Sequence, residues 1–250
     1  MAAVAWYLTA RQATGMGSMA TGLAQVGVLM AGSIAAPLFM AMWLGMMAAM
    51  MLPAVAPMVL TYRLVTSRRG EGWLPTAAFV VGYIAVWFVI GLVPLAIYLG
   101  FSNLAASSSV AKWLPAASGA ILVIAGLYQF TPLKAVCLRA CRGPLSFVLS
   151  HDFGGGSRSG FWAGLTHGAY CLGCCWALMT VLIVVGLMNL IWMAGLAVIF
   201  ALEKNWSHGV GFDRVVGAAL VLLGLTVLID PNILVVVSGG QPPASPGGHM

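Results

Sequence analysis

Apolar residues run in long unbroken blocks along most of this chain, and polar positions gather in the short gaps between them. The block at residues 77–99 contains no charged side chain at all. Strands of a membrane barrel alternate apolar and polar residues over about ten positions, because one strand face lines a polar lumen. Here the apolar runs continue without alternation, at the length of about 20 residues that a helix needs to cross a bilayer. Residues 34–60, 74–99, 112–130, 161–187, 189–202 and 212–229 are the candidate spans, the fifth being the shortest. The tight join at Met188-Asn189 predicts an antiparallel hairpin of the fourth and fifth. The pattern predicts an all-α fold: a polytopic transmembrane helix bundle of about six spans, with no soluble domain.

The flanks differ from the body. In the segment 1–33, Met1 to Ala10 is apolar but too short to span, and it lacks the charged start of a signal peptide. It reads as the stub of a span or an interfacial helix carrying Trp6 and Tyr7. The stretch after it holds Met16, Met19 and several glycines, and reads as flexible and external. Residues 34–230 carry the bundle. Residues 231–250 read as a disordered tail, rich in Gly, Pro and Ser from Ser238 onward. No internal repeat is visible, which counts against an alternating-access carrier.

Composition sharpens the class. Of 250 residues, 62% are hydrophobic and 6% are charged, against about 25% charged in soluble domains. Mean hydropathy is +1.02. A soluble enzyme, a disordered chain and a disulfide-stapled secreted domain are excluded. The net charge of +6 does not indicate nucleic acid, because the basic residues are scattered over short loops. All of them except Arg11 and Lys112 fall on one side of the predicted spans. Cytoplasmic loops collect Lys and Arg, so both termini are expected outside, in a multi-pass protein of a bacterial inner membrane. The lipid bilayer is then the first partner.

All five cysteines lie between Cys137 and Cys175. Cys137 and Cys141 are one helical turn apart, and so are His167 and Cys171, with Cys174 and Cys175 following. If the segment after the third span is helical, two soft-donor stripes result, both near the cytoplasmic boundary and able to face each other. Thiolates and thioethers favour Cu(I), while a Cys/His set also suits zinc. The alternative is that the cysteines are small buried hydrophobes. A structural disulfide is disfavoured on the reducing side. In the first span Met42, Met46, Met47, Met50, Met51 and Met58 form a ladder with i,i+4 pairs. It reads either as a thioether relay for Cu(I) or as adaptable apolar filler. Met179, Met188 and Met193 carry the same ambiguity.

His167 is the one histidine expected inside a span, which makes it a functional candidate. Glu203 and Lys204 end the fifth span and read as a snorkelling pair. Pro53 and Pro57 are expected to break or bend the first helix. Gly160, Gly164 and Gly168 follow a small-xxx-small spacing, so that face of the fourth span should pack closely on another helix. No nucleotide-cradling motif is present. No pair of intramembrane carboxylates is expected, and no second histidine for a haem site.

The stretches Met42 to Met58, Tyr128 to Lys134, Cys137 to Pro144, His167 to Trp176, Met188 to Met193 and Glu203-Lys204 together resemble one family. It is the bacterial family of predicted metal-binding integral membrane proteins, a domain of unknown function. The likeness spans about residues 33–230, and its Cys/His block is the specific part. The resemblance implies a metal-linked membrane role, with copper handling as one version. It also implies a full span at the start, where this chain shows a short apolar stub.

The leading expectation is a Cu(I)-handling membrane protein that binds, delivers or transports the ion, with Cys137, Cys141, His167, Cys171, Cys174 and Cys175 as ligands and a metal chaperone as one partner. The runner-up is an accessory subunit of a larger membrane metalloenzyme, such as an oxidase or oxygenase. A thiol redox enzyme, pairing Cys137 or Cys141 with Cys171, is third. Binding or delivery is favoured over catalysis.

Overall fold

The computed structural model describes Tyr7 and residues 36–101, 113–150, 155–185, 189–206 and 209–237. Among the described residues every regular element is a helix. In chain order these are α1 (Ala36–Arg68), α2 (Leu74–Phe101), α3 (Leu114–Tyr128), α4 (Pro132–Arg142), α5 (Pro144–Ser150), α6 (Gly156–Val185), α7 (Leu190–Asn205), α8 (Gly209–Ile229) and α9 (Asn232–Val237). Apart from Tyr7, the segment 1–33 lies outside the described residues, as do Met188 and the stretch from Ser238.

Among the described residues four helices are long and apolar enough to cross a membrane, with spans at Phe39–Arg68, Leu74–Ala96, Gly156–Val185 and Gly211–Ile229. A fifth arises if the bent pair Pro115–Tyr128 and Pro132–Arg142 is one span. The block at 112–130 yields α3, whose 15 residues rise about 22 Å, short of the roughly 30 Å hydrocarbon core. The chain turns by 63° before continuing as α4. Thr131 caps α4 by accepting from the Lys134 backbone N–H, and Pro132 takes the first turn, where its missing donor costs nothing. α7 has 16 residues and packs more on α1 than on α6, so it is not the tight hairpin partner that the join suggests.

α1 runs through Pro53 and Pro57 without interruption. The Thr61 hydroxyl donates to the Pro57 carbonyl at 2.8 Å, inside the stretch where the prolines remove backbone donors. The turn after the helix passes through Gly70, whose φ of +76° favours glycine. At the other end of the described chain, residues 232–237 are helical rather than part of a tail. Trp192 Nε1 on α7 donates to the Val237 carbonyl at 2.9 Å, tying that short helix to the bundle.

Two glycine seams draw helices together. A Cβ at Gly160 or Gly164 of α6 would run into the backbone carbonyls of Pro75 and Phe79 on α2, and one at Gly168 would meet Val86 at 2.8 Å. The small-xxx-small face thus packs on α2. A second seam joins α3 and α8 reciprocally, Gly126 against Gly217 and Gly119 against Gly224. Its signal in the sequence is glycine recurring every two turns on each helix.

Gly164→Ala is expected to destabilise the bundle by about 1–3 kcal/mol through overpacking. Gly195→Ala, the same change where nothing lies within 4 Å, should not. Unfolding of both variants in one detergent checks the contrast, and equal stability would contradict the seam.

Candidate metal centre

The thiol cluster is built on α6, midway along the helix. Cys171, Cys174 and Cys175 are buried, and their sulfurs lie within 4.8 Å of one another. The spacing explains this: three and four residues on from Cys171 return to the same helix face. Cys174 and Cys175 each donate to the Cys171 carbonyl, at 3.1 and 2.8 Å. Such back-bonding satisfies thiols inside a helix and leaves their sulfur lone pairs available.

α4 lies across this cluster. Its buried face is Lys134, Cys137, Leu138 and Cys141, one helical stripe. Cys141 Sγ is 3.9 Å from Cys174 Sγ. Cys137 is set against Gly173, where an added Cβ would lie 2.6 Å from its sulfur. The two cysteine stripes therefore meet, through Cys141, while Cys137 stands beside the group rather than in it. All five cysteines are free thiols.

His167 sits one turn before Cys171 and is 1% exposed. Rings of Phe79, Tyr83 and Phe147 surround it, with centroids 6.0, 6.2 and 5.1 Å away. Its Nδ1 has no hydrogen-bond partner. A buried nitrogen without a partner is costly and is free to act as a ligand. Sequence reasoning missed Tyr83, whose hydroxyl is 3.1 Å from Cys171 Sγ.

Lys204 and Glu203 depart most from expectation. They do not snorkel as a pair; both are buried, at 5% and 1% exposed, and they face different partners. Lys204 Nζ donates to Cys171 Sγ at 3.0 Å and lies 3.9 Å from Met51 Sδ. Glu203 receives Lys134 Nζ at 2.9 Å, and the same ammonium bonds Asp213 and Gln129. Two carboxylates thus share a buried lysine inside the bundle, where none was expected as a pair. The partners lie 69 and 79 residues from Lys134, beyond the reach of local patterning. A readable signal existed: the chain has five acidic residues, and these two interrupt or flank apolar blocks.

The α1 ladder is buried at Met46, Met47, Met50, Met51 and Met58, with Met42 partly so. Met51 ends next to Lys204, whose ammonium stands between it and Cys171. Met46 and Met47 also line, with Met179, an apolar cavity of about 510 Å³ bounded by Trp43, Trp87 and Tyr128. Met193 of α7 is fully buried.

A family model described as PpoB2, copper chaperone, matches residues 40–227. The chain belongs to this family. The match covers α1 through most of α8 and so takes in every residue of the thiol cluster. Comparison with curated proteins gives no match, and comparison with solved structures gives none either. In this member of the copper chaperone family, three buried thiols lie close enough to hold a metal, with a fourth thiol in contact, and the partnerless His167 nitrogen lies one helical turn away, outside that group. The donor set is soft and suits a soft ion.

Removing one partner from a buried ion pair leaves an uncompensated charge and costs about 3–5 kcal/mol. Lys134→Met should destabilise the fold by that order, and adding Glu203→Gln with Asp213→Asn should restore most of it. Denaturation of the single and triple variants reads this directly; no recovery in the triple variant would contradict a closed network.

Proposed function

We propose that this chain handles Cu(I) as cargo within a membrane, binding it at the thiol cluster and delivering it onward. The observation that carries the reading is the grouping of Cys171, Cys174 and Cys175 within 4.8 Å, approached at Met51 by a buried methionine ladder. Cu(I) favours thiolate and thioether donors at low coordination number, which separates it from hard ions that need oxygen cages. Cys141 and His167 complete the proposed ligand set, with Cys137 beside it. Met42, Met46, Met47, Met50, Met51 and Met58 are the proposed relay. Zinc is the competing ion for such a set, and the family description, copper chaperone, supports copper.

The same reading has six crossings, with α1, α2, the bent α3–α4 pair, α6, α7 and α8 as spans. Its basic loops face the cytoplasm of a bacterium, and a soluble or membrane-bound copper acceptor is the implied partner.

Mass spectrometry of metals tests it, on detergent-purified protein after Cu(I) loading, beside a variant with all five cysteines changed to serine. Copper bound by the wild type and lost from the variant is expected. Copper absent from both, or retained equally by the variant, overturns the reading.

A further inference from the structure

We propose that Lys204 is the gate of the thiol cluster: its ammonium holds the place of a monovalent soft cation between Met51 and Cys171, and cargo reaches Cys171 by displacing it. The inference rests on the cargo reading above and adds the residue that controls entry.

Three observations carry it. The first is position. Lys204 Nζ lies 3.0 Å from Cys171 Sγ and 3.9 Å from Met51 Sδ. It stands at the junction where the thioether ladder of α1 meets the thiols of α6, and an ion passing from Met51 to Cys171 must cross that point.

The second is chemistry. The ammonium is buried, yet the carboxylates nearby are committed elsewhere: Glu203 and Asp213 both serve Lys134. Lys204 is left with two sulfur acceptors and the Phe200 ring, 6.0 Å from its nitrogen. Charge attraction and long hydrogen bonds are all that an ammonium gains from these sulfurs. A soft ion bonds the same lone pairs far better. With Cys171 as the thiolate partner of the ammonium, the exchange is a substitution. The Nζ–H···Sγ bond breaks, a metal–sulfur bond forms at that sulfur, and one monovalent cation replaces another. The buried charge is unchanged and no electron moves. A divalent ion would need a second thiol to lose its proton for the same balance.

The third is an exit. α7 ends at Asn205, one residue beyond Lys204, and Asn205 and Trp206 are exposed. A four-carbon stem at a helix end can carry its ammonium to the boundary while the methylenes stay among apolar side chains. Lys204 thus has a buried position on Cys171, and displacement would send its ammonium to the helix end.

The experiment uses the full chain in detergent, with Ag(I) as a monovalent soft ion that undergoes no redox change. Bound silver is measured first by mass spectrometry. Amines are then modified with acetic anhydride, with and without silver, and the peptides are mapped. Lys204 is expected to be protected in the metal-free protein and modified severalfold more once silver is bound. Lys134, held among three oxygens, should stay protected in both and reports that the bundle remains folded. Silver bound in full with Lys204 still protected overturns the gate and leaves the cargo reading intact. Equal modification with and without silver overturns it as well. Absence of bound silver overturns the cargo reading, and the gate with it.

Discussion

The Lys134 ammonium, held by Gln129, Glu203 and Asp213, is the interaction on which the rest of the arrangement depends. Its partners come from the turn after α3, the end of α7 and the start of α8, while Lys134 itself begins α4. A charge buried at this depth is tolerable only with its hydrogen-bonding capacity filled, so the four segments have one mutual arrangement. That arrangement lays the Cys137–Cys141 face of α4 on α6. It also fixes Glu203 on one side of α7, which sends the next residue, Lys204, toward Cys171. Consecutive residues of a helix diverge by about 100°, and here that divergence separates an ion-pair network from a soft-donor site.

The thiol cluster is organised in two tiers. Cys171, Cys174 and Cys175 follow from helix periodicity alone, and the thiols of Cys174 and Cys175 are satisfied by the Cys171 carbonyl of the same helix. Everything that surrounds them arrives from elsewhere: Cys141 from α4, Tyr83 from α2, Met51 from α1, Lys204 from α7. The local tier provides donors at fixed spacing, and the long-range tier sets their charge environment and access.

That division explains what could be read from the sequence. The long apolar blocks gave α1, α2, α6 and α8 their places, because bilayer thickness and hydrophobic length are matched quantities. The cysteine stripes and the close-packed glycine face of α6 were legible for the same reason, since 3.6-residue periodicity is local. The bend after α3 was not, because a block of apolar residues does not show where a helix stops short and turns. Glu203-Lys204 was misread because an adjacent acid and base at a helix end look like a solvated pair. Their true partners, Lys134 and Cys171, are each tens of residues away in the chain. Asp213 was passed over for the same reason. Cys137 was placed on the right stripe, yet its sulfur meets Gly173 rather than the other thiols, a distinction of register that spacing does not carry.

The seam between α2 and α6 bears on how such a site could open. Where the carbonyls of Pro75 and Phe79 press on Gly160 and Gly164, no side chain lies between the two backbones to change rotamer and absorb a shift. The pair is a frame without slack. It carries His167, Cys171, Cys174, Cys175 and Tyr83, one wall of the site. The opposite wall, α4 and α7, touches that frame through side chains such as Cys141 and Lys204, and α4 hangs from a sharp turn. The two walls are therefore unlike: the α6 donors sit on a frame set by backbone contact, while Cys141 and Lys204 reach them through side chains alone.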